Sequence, residues 1–412
     1  MKVLTLSTFE FGIAPNRLHK ALQKKGVDSK MLVLTRITDD ISVFTINTSW
    51  LTKKINYLRF LWERIIILLN NNFNRSDLFK VSIANTGTDI TRHPLVKEAD
   101  IIHLHWINQG FLSLKNIKSL VKTGKPIVWT MHDMWACTSI CHHSWGCEDF
   151  TNECGNCSFL HSDKHNDLSY RVFKEKLFIS QSDIHIVAVS TWLKNMAGKS
   201  SITKNLKISV IPNVLDINVF HHSDKTEARK NLSLSICKKI VLMGAPRIYD
   251  PIKGFSFLKE AMKKIYTNNN DTTLVLFGRI IEQGFLDDVS FPVIQMGFVN
   301  DTFTIAQLYS AADVNVVPSY YETFGQTITE SMACGCPSVS FNNSGQTDII
   351  DHKKNGYLAE YKNSDDLARG IQWVLSQDRK EISELCITKV LNNYTEDIIS
   401  KQYIELYKKL LN

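Results

Sequence analysis

The feature that most constrains the fold of this chain is a repeated alternation between short apolar segments and stretches of helical spacing. Three of the apolar segments are VLTLS (3–7), ADIIHLHW (99–106) and IHIVAVS (184–190). Because they are apolar along most of their length, they are typical of parallel strands that helices cover on both faces. The stretch NRLHKALQKKG (16–26) has helical spacing and ends in glycine after two lysines, as a helix C-terminus should.

The same alternation begins again after the polar stretch HHSDKTEARKN (221–231). Here KKIVLMGAP (238–246) and TTLVLFG (272–278) are predicted to be strands, and GFSFLKEAMKKIY (254–266) between them is predicted to be a helix. Two successive arrays of similar size predict an α/β protein with two Rossmann-like, doubly wound domains that face each other across a cleft. The length agrees with this prediction, because a chain of 412 residues is longer than a domain with one ordinary hydrophobic core.

The polar stretch also indicates the domain boundary. We predict an N-terminal domain over 1–220 and a C-terminal domain over 221–397. The tail IISKQYIELYKKLL has helical spacing, so 398–412 is expected to form a last helix that can pack back on the N-terminal domain.

The composition excludes several classes of protein. With 44% hydrophobic and 22% charged residues the chain is expected to be globular and soluble, and no apolar run approaches membrane-spanning length. The start MKVLTLSTF resembles a first strand and has no small-residue cleavage site, so a cytoplasmic protein is expected. The net charge of +7 suits an anionic ligand or an anionic membrane without requiring either. No nucleic-acid recognition module is present, so nucleic acid is not an expected partner.

Two glutamates, Glu322 and Glu330, stand at the start of a predicted helix in ETFGQTITE. The helix dipole already favours negative charge there. The two carboxylates therefore either solubilise an ordinary helix or bind the hydroxyl groups of a ligand held at the helix end. The turn ACGCP (333–337) follows them.

This segment resembles the donor-site signature of glycosyltransferase family 4, in which Glu, seven residues and a second Glu precede an Ala-x-Gly-x-Pro turn. Upstream, MGAPRIYDPIKGF resembles the family's Arg…Lys-Gly segment, with Arg247 and Lys253 in the matching places. IPNVLD (211–216) resembles its interdomain turn. The resemblance covers nearly the whole chain. It implies the two-domain GT-B fold and transfer with retention of anomeric configuration.

The chemistry of a nucleotide-sugar donor gives these residues a reason. Arg247 and Lys253 can stabilise the charge that grows on the diphosphate as the glycosidic bond breaks. The resemblance assigns the sugar to Glu322 and the ribose to Glu330. Backbone N–H groups at the helix start would add phosphate donors, and they belong to Thr323, Phe324, Gly325 and Gln326. The alternative is that these four charged side chains are ordinary surface residues. The donor site is favoured because the basic pair and the acidic pair both occur, in the family's order, and each pair follows a predicted strand.

The segment KPIVWTMHDMW (125–135) resembles the part of the N-terminal domain that carries the family's active-site histidine, here His132. It follows a predicted strand, and ligands of such folds bind at the carboxyl ends of strands. His132 could therefore bind the transferred sugar or the acceptor, the alternative being a buried structural histidine. His103 and His105 alternate inside an apolar strand, and we interpret them as structural.

The loop after the first strand departs from the family, which commonly has several glycines there. In TFEFGIAPNRL (8–18) the one glycine is Gly12. The backbone can approach a ligand closely at Gly12, which we assign to the acceptor side. The neighbouring Ile and Pro make a weaker phosphate cradle.

A cluster of cysteines occupies CHHSWGCEDFTNECGNC (141–157), with the spacing C-x5-C-x6-C-x2-C. Four thiolates of this kind fit a structural zinc site, although the first spacing is longer than in common zinc motifs. Reduced core cysteines and redox-labile pairs are the alternatives. The four predicted ligands are Cys141, Cys147, Cys154 and Cys157. No Asp-x-Asp sequence stands at a strand end, so catalysis is expected to need no metal.

The stretch TKKINYLRFLWERIIILL (52–69) combines basic residues with an apolar stripe at helical spacing. The stripe consists of Ile55, Leu58, Trp62, Ile65 and Leu69. Such a helix could lie on an anionic membrane. The interpretation we favour is a helix whose stripe packs on the N-terminal sheet and whose basic face is outside, because packing needs the stripe in any case.

These observations together predict a cytoplasmic glycosyltransferase, peripheral to the membrane if 52–69 contacts lipid. It would move a sugar from a nucleotide-sugar co-substrate to a glycan or lipid-linked acceptor in bacterial O-antigen or capsule synthesis. The N-terminal domain would hold the acceptor and the C-terminal domain the donor. Two rivals stay open: a nucleotide-sugar epimerase of the same fold, and a non-catalytic nucleotide-sugar-binding protein.

Overall fold

The structure is a computed structural model that describes residues 1–10, 13–268, 271–280 and 284–412. The chain divides into two compact units. Unit 1 consists of Met1–Pro212 together with Ile399–Asn412, and unit 2 consists of Asn213–Ile398. The division therefore falls inside the stretch IPNVLD (211–216).

In the described part of unit 1, seven parallel strands form one sheet in the order β3-β2-β1-β4-β5-β6-β7. The strands are β1 (Lys2–Phe9), β2 (Asp28–Thr35), β3 (Val43–Thr45), β4 (Ile101–Leu104), β5 (Ile127–Met131), β6 (His185–Ala188) and β7 (Ile208–Val210). The helices are α1 (Ile13–Lys24), α2 (Trp50–Asn70), α3 (Pro94–Glu98), α4 (Leu114–Val121), α5 (Leu168–Lys176) and α6 (Thr191–Lys199). Strands β4, β5 and β6 are buried at every residue, as expected for parallel strands covered on both faces.

In the described part of unit 2, six parallel strands form a second sheet in the order β10-β9-β8-β11-β12-β13. The strands are β8 (Lys239–Arg247), β9 (Thr272–Arg279), β10 (Val293–Gln295), β11 (Val314–Val317), β12 (Ser338–Phe341) and β13 (Gly356–Ala359). The helices are α7 (Lys225–Asn231), α8 (Phe255–Asn268), α9 (Thr302–Ala311), α10 (Gln326–Ala333), α11 (Ser364–Ser376) and α12 (Arg379–Asn393). The two parallel sheets confirm the predicted α/β class with two doubly wound arrays.

The last helix, α13 (Glu396–Leu411), begins in unit 2 and belongs to unit 1 from Ile399 onward. It is tied to β4 and β5 by buried polar contacts. The hydroxyl of Tyr407 lies 2.7 Å from Nδ1 of His103, and that of Tyr403 lies 2.9 Å from Oγ1 of Thr130.

Helix α2 turns its apolar stripe to solvent and packs on unit 1 with its other side. Its buried residues are Asn56, Glu63, Arg64 and Ile67. The exposed residues include the whole predicted stripe: Ile55, Leu58, Trp62, Ile65 and Leu69. The interpretation that this stripe packs on the N-terminal sheet is therefore wrong, because Glu63 and Arg64 find buried partners on the opposite side of the helix.

Among the described residues, no helix combines the length and the apolar character needed to cross a membrane.

Candidate active site

The predicted donor-binding residues lie in unit 2 at the carboxyl ends of two neighbouring strands. β8 and β11 pair at the point where the strand order of the sheet reverses, which is where open α/β sheets bind ligands. Arg247 is the last residue of β8, and it is exposed. Lys253 ends the 3-10 turn Pro251–Lys253 that follows, and Glu322 lies in the loop after β11.

Lys253 and Glu322 form an ion pair across these two loops. Nζ of Lys253 lies 2.8 Å from Oε1 of Glu322, and the two side chains keep 28% and 19% of their exposure. Burial lowers the pKa of Lys253, but the Glu322 carboxylate outweighs burial, so that the pKa lies above its ordinary value. Lys253 is therefore an ammonium at neutral pH, and a ligand phosphate would have to share it with a carboxylate or displace that carboxylate.

The backbone directly after Lys253 requires a glycine at position 254. Its φ of 68° is in the left-handed region, and a Cβ at this position would lie 1.9 Å from the carbonyl oxygen of Pro318. The N–H of Tyr320 donates to the carbonyl oxygen of Ile252 at 2.8 Å. The turn that carries Lys253 is thus held directly against the loop after β11, which leads to Glu322.

Two residues that the sequence analysis missed fix the backbone of Glu322. The hydroxyl of Ser344 accepts a hydrogen bond from the N–H of Glu322 at 3.0 Å, and the N–H of Gly345 donates to the Glu322 carbonyl oxygen at 2.7 Å. A Cβ on Gly345 would lie 2.3 Å from the carbonyl oxygen of Thr323. The signal available in the sequence was a Ser-Gly pair two residues after the predicted strand PSVSF (337–341).

The start of α10 has the geometry of an anion-binding helix end. Gly325 occupies the N-cap with φ of 108° and makes no side-chain cap, so the N-cap residue itself does not occupy the first N–H groups. Phe324 is buried, and its ring contacts that of Tyr394 edge to face at 5.6 Å. Phe324 and Thr323 can therefore serve a ligand through their backbone, while the Phe324 ring anchors the loop in the core.

Gln326 and Glu330 follow one another by one helical turn on α10 and so share a face. Within the described structure the amide nitrogen Nε2 of Gln326 is buried and has no hydrogen-bond partner. Glu330 is mostly buried, with 7% of its surface exposed. A buried amide donor and a buried carboxylate next to the Lys253–Glu322 loops are suited to the polar groups of a ligand.

In unit 1, His132 follows β5 directly and is paired with His105, which follows β4. Nε2 of His132 lies 2.8 Å from Nδ1 of His105, and the two rings stack with centroids 5.1 Å apart. Burial lowers the pKa of His132 to about 4, and it lowers the pKa of His105 well below its ordinary value. Both imidazoles are therefore neutral at neutral pH, so His132 can act as a hydrogen-bonding group without a charge.

His103 and His105 differ in their surroundings. Both ring nitrogens of His103 have partners, because Nε2 lies 2.7 Å from Oγ1 of Thr130 and Nδ1 contacts Tyr407. His105 instead touches His132 with Nδ1, and its Nε2 is buried without a partner in the part of the chain that the structure describes. The interpretation of His105 as merely structural misses this contact, since alternation along a strand cannot show what lies across the strand end.

Asp133, which follows His132, fixes the loop that carries it. Its Oδ1 accepts a hydrogen bond from the N–H of Trp135 at 2.8 Å. Its Oδ2 lies 2.6 Å from Nδ1 of His142 and accepts a bond from Nε1 of Trp106 at 3.1 Å. Burial alone would raise the pKa of Asp133, but His142 outweighs burial and lowers the pKa to about 2. The sequence analysis also missed Asp133, although an acid next to the candidate histidine was visible in HDMW.

The acceptor-side residue Gly12 lies outside the described residues. Just before it, Glu10 is buried, and its Oε2 accepts a hydrogen bond from the N–H of Thr38 at 3.0 Å. The end of β1 is therefore fastened to the loop after β2.

The cysteine segment shows free thiols. Burial raises the pKa of Cys157 to about 11 and that of Cys154 to about 12, and the neighbouring Cys147 adds to both shifts. All nine cysteines are free. Among the described residues, no group of three or more His, Cys, Asp or Glu side chains is placed to hold a metal ion. The zinc site over Cys141, Cys147, Cys154 and Cys157 stays a prediction.

Comparison with known proteins finds matches in both units. The family model described as Glycosyltransferase Family 4 matches residues 17–219, and that described as Glycosyl transferases group 1 matches residues 237–377. An uncharacterised glycosyltransferase from Methanocaldococcus jannaschii is 30% identical over 326 residues, which cover 76% of this chain and 76% of the relative.

Two further proteins carry more specific names. The N,N'-diacetylbacillosaminyl-diphospho-undecaprenol alpha-1,3-N-acetylgalactosaminyltransferase of Campylobacter jejuni is 27% identical over 257 residues, covering 59% of this chain and 62% of that enzyme. Among solved structures, HepE from Anabaena in complex with UDP has a TM-score of 0.65 at 18% identity, covering 99% of this chain and 100% of HepE. The structural likeness shows the two-domain GT-B fold.

Proposed function

Because this chain belongs to glycosyltransferase family 4, we propose that it transfers a sugar from a nucleotide-sugar donor to a glycan acceptor carried on a lipid. Transfer retains the configuration of the anomeric carbon and serves the assembly of a bacterial cell-surface polysaccharide of the O-antigen or capsule type. The observation that carries the proposal is the ion pair of Lys253 and Glu322, which joins the carboxyl ends of β8 and β11 just before α10 begins.

The cations of unit 2 suit the diphosphate of the donor. Its charge grows as the glycosidic bond breaks, so positive groups placed at the phosphates favour the transition state. Lys253 supplies a compact ammonium, and Arg247 supplies a planar fork that can bind a different phosphate oxygen. The N-terminus of α10 adds backbone N–H groups, which Gly325 leaves uncovered.

The carboxylates suit hydroxyl groups. A diphosphate that binds Lys253 competes with Glu322 for the ammonium, and this frees the Glu322 carboxylate to accept hydrogen bonds from the transferred sugar. Glu330 is assigned the ribose hydroxyls. The buried Nε2 of Gln326, on the same face of α10, is a further donor for the same ligand.

His132 is proposed to bind a hydroxyl of the transferred sugar or of the acceptor. The contact with His105 fixes the position of its ring, and the hydrogen bonds of Asp133 fix the loop. Its neutral state suits a group that exchanges hydrogen bonds with a sugar. No residue of this arrangement calls for a metal, so the nucleotide sugar is the one co-substrate that the proposal requires.

The lipid on the acceptor is inferred from the relatives. The Campylobacter enzyme is named for a diphospho-undecaprenol acceptor, and the HepE crystal holds UDP. We therefore propose that this chain works on the cytoplasmic side of a membrane that carries its acceptor, and UDP-sugars are the first donors to test.

The test is a screen of nucleotide sugars by thermal shift on the wild-type chain and on Lys253→Ala. A ligand of the folded state raises the melting temperature by mass action. We expect one donor to raise it in the wild type and to lose most of that effect in the variant. The preferred donor is then incubated with a lipid-linked oligosaccharide, and a product with the retained linkage is expected.

Two results would overturn the proposal. One is a complete absence of stabilisation by any nucleotide sugar. The other is rapid conversion of the donor alone into an epimer, because an epimerase of this fold needs no acceptor.

A further inference from the structure

Helix α2 presents a continuous apolar face to solvent along its whole length. Its residues follow each other at intervals of three or four, which places them on one side of the helix: Leu51, Ile55, Leu58, Trp62, Ile65 and Leu69. We call this set the outer face of α2. Leu58 exposes 61% and Trp62 52% of its surface. Exposed apolar surface of this extent and continuity marks an interaction site.

The fold holds the outer face outward by polar contacts on the opposite side. Oε1 of Glu63 accepts hydrogen bonds from the backbone N–H groups of Ile83 and Ala84 at 2.7 and 2.9 Å. Nη1 of Arg64 donates to the carbonyl oxygen of Val81 at 3.0 Å. Turning the helix to bury its apolar side would leave these buried groups without partners, at a high cost in free energy. The exposure of the outer face is therefore built into unit 1.

The exposed charges that accompany the outer face are positive. Lys54, which is exposed, flanks this face, and its Nζ lies 3.8 Å from the centre of the Trp50 ring. The one acidic residue in the sequence of α2, Glu63, is buried. An apolar face with tryptophans and adjacent lysines is typical of helices that lie in the interface of an anionic bilayer.

We propose that α2 docks unit 1 onto an anionic lipid bilayer. The outer face enters the boundary between headgroups and acyl chains, and Lys54, which flanks that face on the helix, binds a headgroup phosphate. The inference deepens the proposed function by naming the surface on which the enzyme meets its lipid-borne acceptor, and it rests on that function only for the nature of the acceptor.

The position of α2 gives this docking a catalytic consequence. The segment that Glu63 binds continues from Ser82, whose carbonyl oxygen accepts a hydrogen bond from Nε1 of Trp135 at 2.7 Å. The hydroxyl of Ser82 lies 3.1 Å from Nε2 of His142, which is the partner of Asp133. A short series of hydrogen bonds therefore links α2 to the loop that carries His132, so docking of α2 would hold that loop near the bilayer.

The experiment is sedimentation of the full chain with vesicles of phosphatidylcholine alone or mixed with phosphatidylglycerol. We expect the wild type to bind the anionic vesicles and to bind less as salt rises. Leu58→Glu/Trp62→Glu should weaken the binding by about tenfold or more, because it puts two charges where apolar groups enter the bilayer. Lys54→Gln should lower the preference for anionic lipid, and Lys53→Gln, on the other side of the helix, should lower it less. The matched control is Phe303→Glu, at an equally exposed position of unit 2, which should bind like the wild type.

Three outcomes would overturn the proposal. They are no binding to anionic vesicles, equal binding by the wild type and Leu58→Glu/Trp62→Glu, and a dimer that this variant abolishes without any binding to vesicles. The last would assign the outer face to a second copy of the chain.

The same variants are tested for the donor-induced thermal shift. A normal shift with no vesicle binding would sink the docking proposal and leave the proposed function intact. Vesicle binding without a thermal shift for any donor would contradict the proposed function and leave the docking proposal intact.

Discussion

Lys253 and Glu322 neutralise each other in the candidate donor site, and each therefore limits what the other can bind. At a partly exposed position such a pair contributes little to stability. Replacing either residue should consequently change ligand binding much more than folding. The two replacements should also differ, because one removes the cation that binds phosphate and the other removes a carboxylate that competes for that cation.

Glu322→Ala is expected to separate nucleotide binding from transfer. A nucleoside diphosphate should bind at least as tightly as in the wild type, since Lys253 has lost its competitor. Transfer should fall by about a hundredfold or more, because a contact that matters in the transition state is gone. Calorimetry gives the dissociation constant and a product assay gives the rate. The matched control is Glu260→Ala, an exposed glutamate of α8, and near wild-type turnover of Glu322→Ala would remove Glu322 from the mechanism.

His105 is expected to act through His132, since the 2.8 Å contact joins the two rings. His105→Phe keeps the ring stack but removes the hydrogen bond, and transfer should fall by about tenfold. His132→Phe should cost more. The double variant should be no worse than His132→Phe alone, because residues that act as a unit are not additive. Losses that multiply in the double variant would show that His105 does not work by positioning His132.

The polar network of β4, β5 and α13 should make unit 1 sensitive to acid. Burial lowers the pKa of His103 to about 3 and that of His132 to about 4, whereas an unfolded histidine titrates near 6.5. Below about pH 6.5 the unfolded chain therefore binds protons that the folded chain refuses. The stabilisation from these groups is complete above that pH and declines as the pH falls toward about 4.

Thermal unfolding between about pH 7.5 and pH 5 measures this effect. Each such histidine is expected to cost up to about 2 kcal/mol of unfolding free energy at pH 5. His132→Phe should lose less stability over this range than the wild type. The exposed control His165→Gln should behave like the wild type. A melting temperature that does not change with pH in the wild type would contradict the prediction.

The segment 141–157 is expected to bind about one zinc ion per chain if its four thiolates close one tetrahedral site. Elemental analysis of protein prepared without oxygen measures this directly. Cys154→Ser should lower the zinc content, while Cys237→Ser, an exposed thiol far away in the sequence, should not. Protein without zinc would reject the site and leave reduced thiols as the interpretation.

The elements differ in how far the sequence determines them. Apolar segments such as SKMLVL (29–34) predicted buried strands, because this pattern is typical of a strand covered on both faces. The edge strands β3 and β13 were not predicted, because VFT (43–45) and GYLA (356–359) lie in short segments flanked by polar residues rather than in a longer apolar run. The spacing in α2 predicted a helix with an apolar stripe but not which side is buried. That depends on Glu63 and its partners Ile83 and Ala84, which lie about 20 residues away in the chain.

The candidate site shows the same limit. Arg247, Lys253, Glu322 and His132 could be found because they are charged or polar residues in a motif directly after a strand. The residues that hold them in place, such as Ser344 and Asp133, act through hydrogen bonds made by the folded chain. No periodicity or spacing records such bonds, so they became visible only in the structure.

At the scale of the whole molecule, the chain completes unit 1 with its last helix. Between Pro212 and Ile399 it builds unit 2, and only then does α13 return to the first sheet. Ile399, Tyr403 and Tyr407 are buried there, with Tyr407 against His103. Unit 1 is therefore incomplete without α13, and its stability should depend on residues that lie almost 200 residues beyond the rest of the unit in the chain.

A chain that ends at Thr395 tests this dependence. Removal of α13 exposes the apolar surface around His103 and Thr130, and each large buried side chain that is lost contributes about 1.5–3 kcal/mol. Unit 1 should melt at a clearly lower temperature and become sensitive to protease, while unit 2 keeps its fold. Tyr407→Phe removes only one hydroxyl and should cost about 1 kcal/mol, and the exposed control Lys408→Ala should cost almost nothing. If the shortened chain melted at the same temperature as the wild type, the prediction would be wrong and unit 1 would be stable without α13.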